Sequence, residues 1–152
     1  MKKSVWGPQI WILLHCITIK IKEQHFSEQK KNITNMISQI CSNLPCPLCA
    51  SHATGLLRKF NIHHVKTKDQ LIRLIFTLHN DVNTKLKKRP FDFVNLFSTY
   101  QDHDFKNVLV QYYNTFISVN FGEKMMLYSF RRKLFLKNFH TYFKDNIDLY
   151  DL

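Results

Sequence analysis

The stretch from Thr67 to Leu86 leaves this chain little choice of architecture. Thr67 and Gln70 stand at capping-box spacing. Leu71, Leu74, Ile75, Leu78, Val82 and Leu86 then recur at intervals of three and four, which puts them on one face of an α-helix. The same period runs through most of the chain. Gly7-Pro8 reads as a helix entry, since proline is tolerated in the first turn, and Trp11, Leu14, Thr18 and Ile21 follow at helical spacing. A second helix is expected after Ser27, with Ile33, Met36, Ile37, Ile40 and Cys41 on one face and an end near Ser42-Asn43-Leu44-Pro45. A third starts at Cys46 and Cys49 and carries Ala53, Leu56, Leu57 and Phe60. Four amphipathic helices on short connections predict an all-α fold, a four-helix bundle. Val94, Phe97 and Tyr100 predict a short fifth helix. Phe105, Val108, Leu109, Tyr112 and Phe116, then Phe130, Leu134 and Phe139, predict a helical C-terminal extension. The expected division is a core over 1–102 and an extension over 103–152.

Composition narrows the function classes. With 45% apolar and 14% aromatic residues the chain can bury a real core, which excludes wholesale disorder. Only Gly7, Gly55 and Gly122 are present, so no dinucleotide-binding glycine fingerprint is available and any nucleotide cofactor must be held by helices. The apolar run from Trp11 to Ile19 is interrupted by His15 and followed by Lys20, too short to span a bilayer. Four cysteines are too sparse for a disulfide-stapled secreted fold, and the expected setting is cytoplasmic, or an organelle reached without a cleaved signal. The net charge of +11 invites phosphate-bearing partners. It is spread over Lys30-Lys31, residues 85–89 and residues 131–133 instead of one motif, so a nucleic-acid partner is not expected. The first and third clusters read as solvated surface.

The segment Leu44-Pro45-Cys46-Pro47-Leu48-Cys49 holds two of the four cysteines. Such a pair either opens and closes as a redox disulfide or supplies half of a zinc site. Pro47 suits the first turn of a helix, which places Cys46 at the N-cap, where free backbone amides and the helix dipole stabilise a thiolate. Cys49, one turn in, is expected to face the bundle, giving an exposed outer sulfur and a shielded inner one. Zinc would need two further ligands from Cys41, His52, His63 and His64. Cys49 to His63 is about the interval of finger-type sites, but the adjacent His63 and His64 break the spacing of the final pair and Cys41–Cys46 is oddly spaced. That alternative gives a zinc-stabilised helical binding module.

A second constellation closes the fourth helix. His79 and Asn83 lie one turn apart, Asn80 adjoins that face, and Lys85 and Lys88 follow. Imidazole and amide groups can hydrogen-bond a heterocycle while lysines neutralise a pyrophosphate. A basic last turn is also what the helix dipole favours in any protein. Trp11 and His15, one turn apart, can flank an aromatic ligand or belong to the core.

Taken in register, Trp11-x-x-Leu14-His15, Cys46-Pro47-Leu48-Cys49 and His79-Asn80-x-Val82-Asn83-x-Lys85-Leu86 resemble the Erv/ALR family of FAD-linked sulfhydryl oxidases. Trp6-Gly7-Pro8 and the compact core are most similar to the versions encoded by large cytoplasmic DNA viruses. The resemblance implies FAD at the bundle mouth beside Cys46 and Cys49. It implies thiol oxidation with dioxygen as the electron acceptor and hydrogen peroxide as product. The residues matching the family's cofactor enclosure are Gly7, Trp11, His15, His52, His79, Asn80, Val82 and Asn83. Lys85 and Lys88 match those near the phosphates, and Tyr100 falls where cellular members carry a tryptophan against adenine. The family's structural disulfide would fall at Phe76 and Phe93, so a contact between two rings is expected in its place. The shuttle cysteine pair of cellular members is absent; Cys16 and Cys41 read as core. A separate small thiol or thioredoxin-like shuttle, or a dithiol protein substrate, is therefore the expected partner. A homodimer and a place in the host cytoplasm or the virion are the remaining expectations.

Overall fold

The computed structural model describes residues 1–118 and 126–152. Among them are seven α-helices: α1 (Lys3–Lys20), α2 (Glu23–Ser42), α3 (Pro47–Lys59), α4 (Lys68–Lys85), α5 (Leu96–Tyr100), α6 (Phe105–Ile117) and α7 (Met126–Asn146). The all-α expectation is met. Helix α1 packs against α4, α5 and α6, α2 against α3, α3 against α4, and α6 against α7.

Being covered on several sides, α1 is buried at every position from Leu13 to Lys20, where the sequence pattern implied one face. Burial reaches even Lys20, whose Nζ donates to the Gln101 carbonyl at 2.6 Å. The C-terminus closes over the same corner. Lys22 N–H donates to Leu149 O at 2.9 Å and Asp151 N–H to Lys20 O at 2.6 Å. The expected extension is thus continuous with the main core, and Phe105, Tyr112, Phe116 and Phe139 join Leu13, Ile17 and Leu71 in one apolar cluster.

Several boundaries and faces differ from the sequence expectation, each for a physical reason. Helix α1 begins at Lys3 and carries Pro8 inside it. A proline there forfeits one backbone hydrogen bond, and burying Trp6 and Ile10, at 5% and 4% exposure, offsets that loss. Helix α2 starts at Glu23, before Ser27, because Phe26 is buried and extends the apolar face by a turn. The face of α5 is Leu96 and Tyr100, while Val94 and Phe97 are exposed. A 3₁₀ turn over Phe93–Asn95 shifts the register ahead of it. On α7 the buried set is Arg132, Phe135, Leu136, Phe139 and Phe143, and Phe130 and Leu134 face outward. Arg132, expected on a solvated patch, is wholly buried because it lies on the face that packs against α6, beside Tyr112. The start of α4 follows expectation, with Thr67 accepting from Gln70 N–H.

Candidate functional site

The Cys46–Cys49 pair is a disulfide with Cα atoms 5.1 Å apart. Local sequence explains its placement. Pro47 occupies the first turn of α3, and Cys46 is the N-cap in extended conformation (φ −128°, ψ 112°). The Cys49 N–H donates to Cys46 Sγ at 3.2 Å, so a cysteine does the capping work usually done by serine or aspartate. Both cysteines are half-buried, which corrects the expectation of an exposed outer and a shielded inner sulfur. Capping turns the Cys46 sulfur back over the first turn, and the residue that projects between the two is Leu48, 83% exposed.

The disulfide lies on the wall of a cavity of about 950 Å³ between the N-terminal half of α1, the start of α3, the end of α4 and the segment leading to α5. Apolar faces come from Trp11, Leu14, Leu78, Phe91 and Tyr100, and positive charge from Lys3, Lys85, Lys88 and Arg89. Short connections bring these together because α4 runs beside α1, and the loop after α4 folds back under Asn80. That side chain donates to Phe91 O at 2.9 Å and accepts from Phe91 N–H at 2.7 Å.

The aromatic wall contains two closely stacked pairs. Trp11 stacks on His79 (4.0 Å, 11°) and His15 on Tyr100 (4.4 Å, 19°). His15 Nε2 and His79 Nδ1 share a 2.9 Å hydrogen bond, and His15 Nδ1 is buried with no partner. A buried N–H without a partner is rarer than a buried lone pair without one. The proton of His15 is therefore assigned to Nε2, and His79 accepts at Nδ1 and carries its own proton on Nε2. Burial pushes the His15 imidazole down to about 3, with His79 adding to the effect. Burial, then Lys88, pushes His79 down to about 4. Both are neutral at pH 7, so this wall offers hydrogen bonds and ring faces without charge. His52 is also shifted down, by burial first and Lys85 second.

Of the residues picked out in the sequence, Cys46, Cys49, Gly7, Trp11, His52, His79, Val82, Asn83, Lys85, Lys88 and Tyr100 meet on this one cavity. His15 and Asn80 do not line it. His15 sits behind His79 and Tyr100, and both ends of the Asn80 amide are taken up by Phe91. Phe91, Lys3 and Arg89 line the cavity without having been singled out. Arg89 was legible as the last residue of a basic run, whereas Phe91 had no signal apart from following Pro90. Cys41 also borders the cavity; burial pushes its thiol up to about 12 and that of Cys16 up to about 11.

The other regions weighed in the sequence hold less chemistry. Among the described residues no three His, Cys, Asp or Glu side chains are grouped to hold a metal ion, and no helix is long and apolar enough to cross a membrane. A smaller hollow of about 390 Å³ beside Phe60, His64 and Arg73 carries no cysteine. One turn before His79 on α4, Phe76 meets Phe93 edge to face at 5.2 Å, the ring contact expected there, and the Arg73 guanidinium lies 4.4 Å from the Phe93 centroid.

Comparison with known proteins agrees with this geometry. An FAD-linked sulfhydryl oxidase of African swine fever virus is 26% identical over 103 residues, covering 68% of this chain and 86% of that one. The mitochondrial FAD-linked sulfhydryl oxidase ERV1 of Saccharomyces cerevisiae is 30% identical over 86 residues, 57% of this chain and 45% of that one. The Arabidopsis thaliana FAD-linked sulfhydryl oxidase ERV1 is 27% identical over 89 residues, 59% and 46% of the two chains. The model of the Erv1 / Alr family matches residues 8–105, a span that holds the disulfide, the stacked rings and the lysines alike, and the chain belongs to that family.

Proposed function

We propose that this protein is an FAD-linked sulfhydryl oxidase that forms disulfide bonds in dithiol substrates. One observation carries the reading: the Cys46–Cys49 disulfide shares a cavity wall with a set of aromatic faces and cations. The donor set suits FAD. Trp11, His79, Phe91 and Tyr100 offer ring faces for planar heterocycles, and Asn83 and the neutral His79 offer hydrogen bonds. Lys85 and Lys88 stand near the end of α4, where they can neutralise a pyrophosphate. A volume of about 950 Å³ falls at the upper end of the roughly 300–1,000 Å³ of small-molecule sites. His15 and Asn80 act from behind the wall, by setting His79 and Phe91.

The chain's own chemistry is thiol–disulfide exchange. A substrate thiolate attacks Cys46 Sγ, the Cys46–Cys49 bond breaks, and Cys49 leaves as a thiolate. A second substrate thiol loses its proton and attacks the substrate sulfur of the mixed disulfide, releasing Cys46. The substrate is then oxidised by two electrons and the pair reduced by two. The start of α3, with its free amides, stabilises the thiolates formed there. Held by Trp11, His79, Asn83, Lys85 and Lys88, FAD would supply a two-electron acceptor for the reduced pair, with dioxygen as the final acceptor and hydrogen peroxide as the product.

Residues 1–102 carry the site in this reading, and 103–152 support it. The partner that brings substrate thiols is a separate small thiol or thioredoxin-like protein, because Cys16 and Cys41 are buried and cannot serve as an exposed relay. A homodimer completes the proposal, and a place in the host cytoplasm or the virion is in keeping with the viral relative. The purified protein is expected to be yellow, with flavin released on denaturation, and to consume dioxygen when given a small dithiol. A colourless protein that gains no activity with added FAD overturns the reading.

A further inference from the structure

Helix α7 reaches the loop that carries the redox pair, although it lies beyond the residues 8–105 that match the family. The Tyr128 hydroxyl donates to Ser42 O at 3.2 Å and, in a shorter contact, to Leu44 O. Ser42 is the last residue of α2, where carbonyls lack intrahelical donors. Leu44 is buried at 6% exposure, borders the cavity and stands two residues before Cys46. Pro45 restricts Leu44 to extended backbone, so fixing the Leu44 carbonyl fixes the direction in which the chain enters the Cys46 cap. Arg132, one turn further along α7, is buried and its charge opposes the upward shift that burial gives the Tyr128 hydroxyl. A cation beside an O–H makes it a stronger donor.

We propose that Tyr128 is a positioning residue for the redox disulfide, holding the Asn43–Pro45 bridge so that Cys46 keeps its N-cap geometry. This rests on Cys46 and Cys49 being the redox pair. A second tyrosine of α7 supplies a natural control. Tyr142 O–H donates to Gln29 Oε1 at 2.9 Å, tying α7 to the opposite end of α2, away from the loop. The two hydroxyls therefore anchor the same helix pair but only one touches the approach to Cys46.

The test compares Tyr128→Phe with Tyr142→Phe in the full-length, flavin-loaded protein and again in a Cys49→Ser background. There Cys46 is the one half-buried thiol, Cys16 and Cys41 being buried. The pH dependence of Cys46 alkylation reads its thiolate directly and needs no oxidase turnover. Tyr128→Phe is expected to raise the Cys46 pKa by about half a unit or more, and to lower dithiol turnover by roughly three- to tenfold. Tyr142→Phe is expected to leave the Cys46 pKa in place. Equal Cys46 titrations in wild type and Tyr128→Phe overturn the proposal, as does an equal shift in Tyr142→Phe. An inactive wild-type protein would instead overturn the oxidase reading, with the alkylation result still deciding the role of Tyr128.

Discussion

Among the described residues, aromatic rings gather both at the cavity and between α6, α7 and the C-terminus, with a different balance of packing. At the cavity Trp11 on His79 at 11°, His15 on Tyr100 at 19° and His79 on Phe91 at 23° lie nearly parallel, while Phe91 meets Tyr100 at 62°. Between α6, α7 and the C-terminus most pairs are steep, at 81° for Phe105 with Phe143, 60° for Phe139 with Phe143 and 53° for Tyr112 with Phe139, while Phe105 lies flatter on Tyr150 at 28°. Tilted and edge-on rings satisfy each other's quadrupoles and fill volume. Parallel faces present flat walls, which suit a flat ligand. Polarity divides along the same line, since the parallel set contains two neutral histidines and opens onto lysines. On the proposed reading, the difference separates an aromatic cluster that is core from one that serves as a binding wall.

The largest effect tests the chemistry at the binding wall. Cys46→Ser and Cys49→Ser are each expected to lower dithiol oxidation by at least about a thousandfold while bound flavin, read by its visible absorbance, is retained. Loss of flavin in either variant would mean that the disulfide holds the wall together as well as reacting. The next effect belongs to the filled region. Phe139→Ala, at a position 2% exposed, is expected to cost about 3–5 kcal/mol in denaturant unfolding, and Phe91→Ala less than half of that. Phe91→Ala is instead expected to weaken FAD binding by about tenfold, measured by flavin release on dilution. Similar stability losses in the two variants would break the distinction.

Acid sharpens the contrast further. His15 and His79, at about 3 and about 4 when folded, lie below the ordinary 6.5. Between those values the unfolded chain binds more protons, so stability is full above about pH 6.5 and falls as the pH drops toward 4. The Tm is expected to be lower at pH 5 than at pH 7, and His15→Phe should flatten that dependence. An unchanged slope in His15→Phe would show that the acid sensitivity arises elsewhere. The smallest effect concerns the interior thiols. Cys16→Ser and Cys41→Ser should keep turnover within about twofold, and a dead Cys41→Ser would add a third sulfur to the exchange.

Much of the site was legible because helical period and short loops tie sequence spacing to space. Cys46 at a cap, His79 and Asn83 on one face, and lysines at a helix end all follow from local geometry. Placement behind the wall was not legible. Whether Asn80 points at a ligand or at Phe91 depends on how the 86–95 loop folds back, which is a tertiary choice. The faces of α5 and α7 failed for a related reason. Val94, Phe97, Phe130 and Leu134 are as apolar as the residues buried beside them, and which stripe turns inward is decided by where α1 lies for α5 and where α6 lies for α7. Arg132 shows the same limit from the polar side, since its burial depends on how α7 packs against α6 and Tyr112.

The edge-to-face contact of Phe76 with Phe93 has a consequence for how the protein experiences its surroundings. Where two rings hold the loop after α4 to its helix, no covalent tie is there to be cut by a reductant. Among the four cysteines, the two outside the active pair are buried with thiols pushed up to about 11 and about 12. The polypeptide therefore has one two-electron couple exposed to its environment. Reduction of Cys46–Cys49 would cut no tie between separate elements, because the two cysteines stand three residues apart at the start of α3.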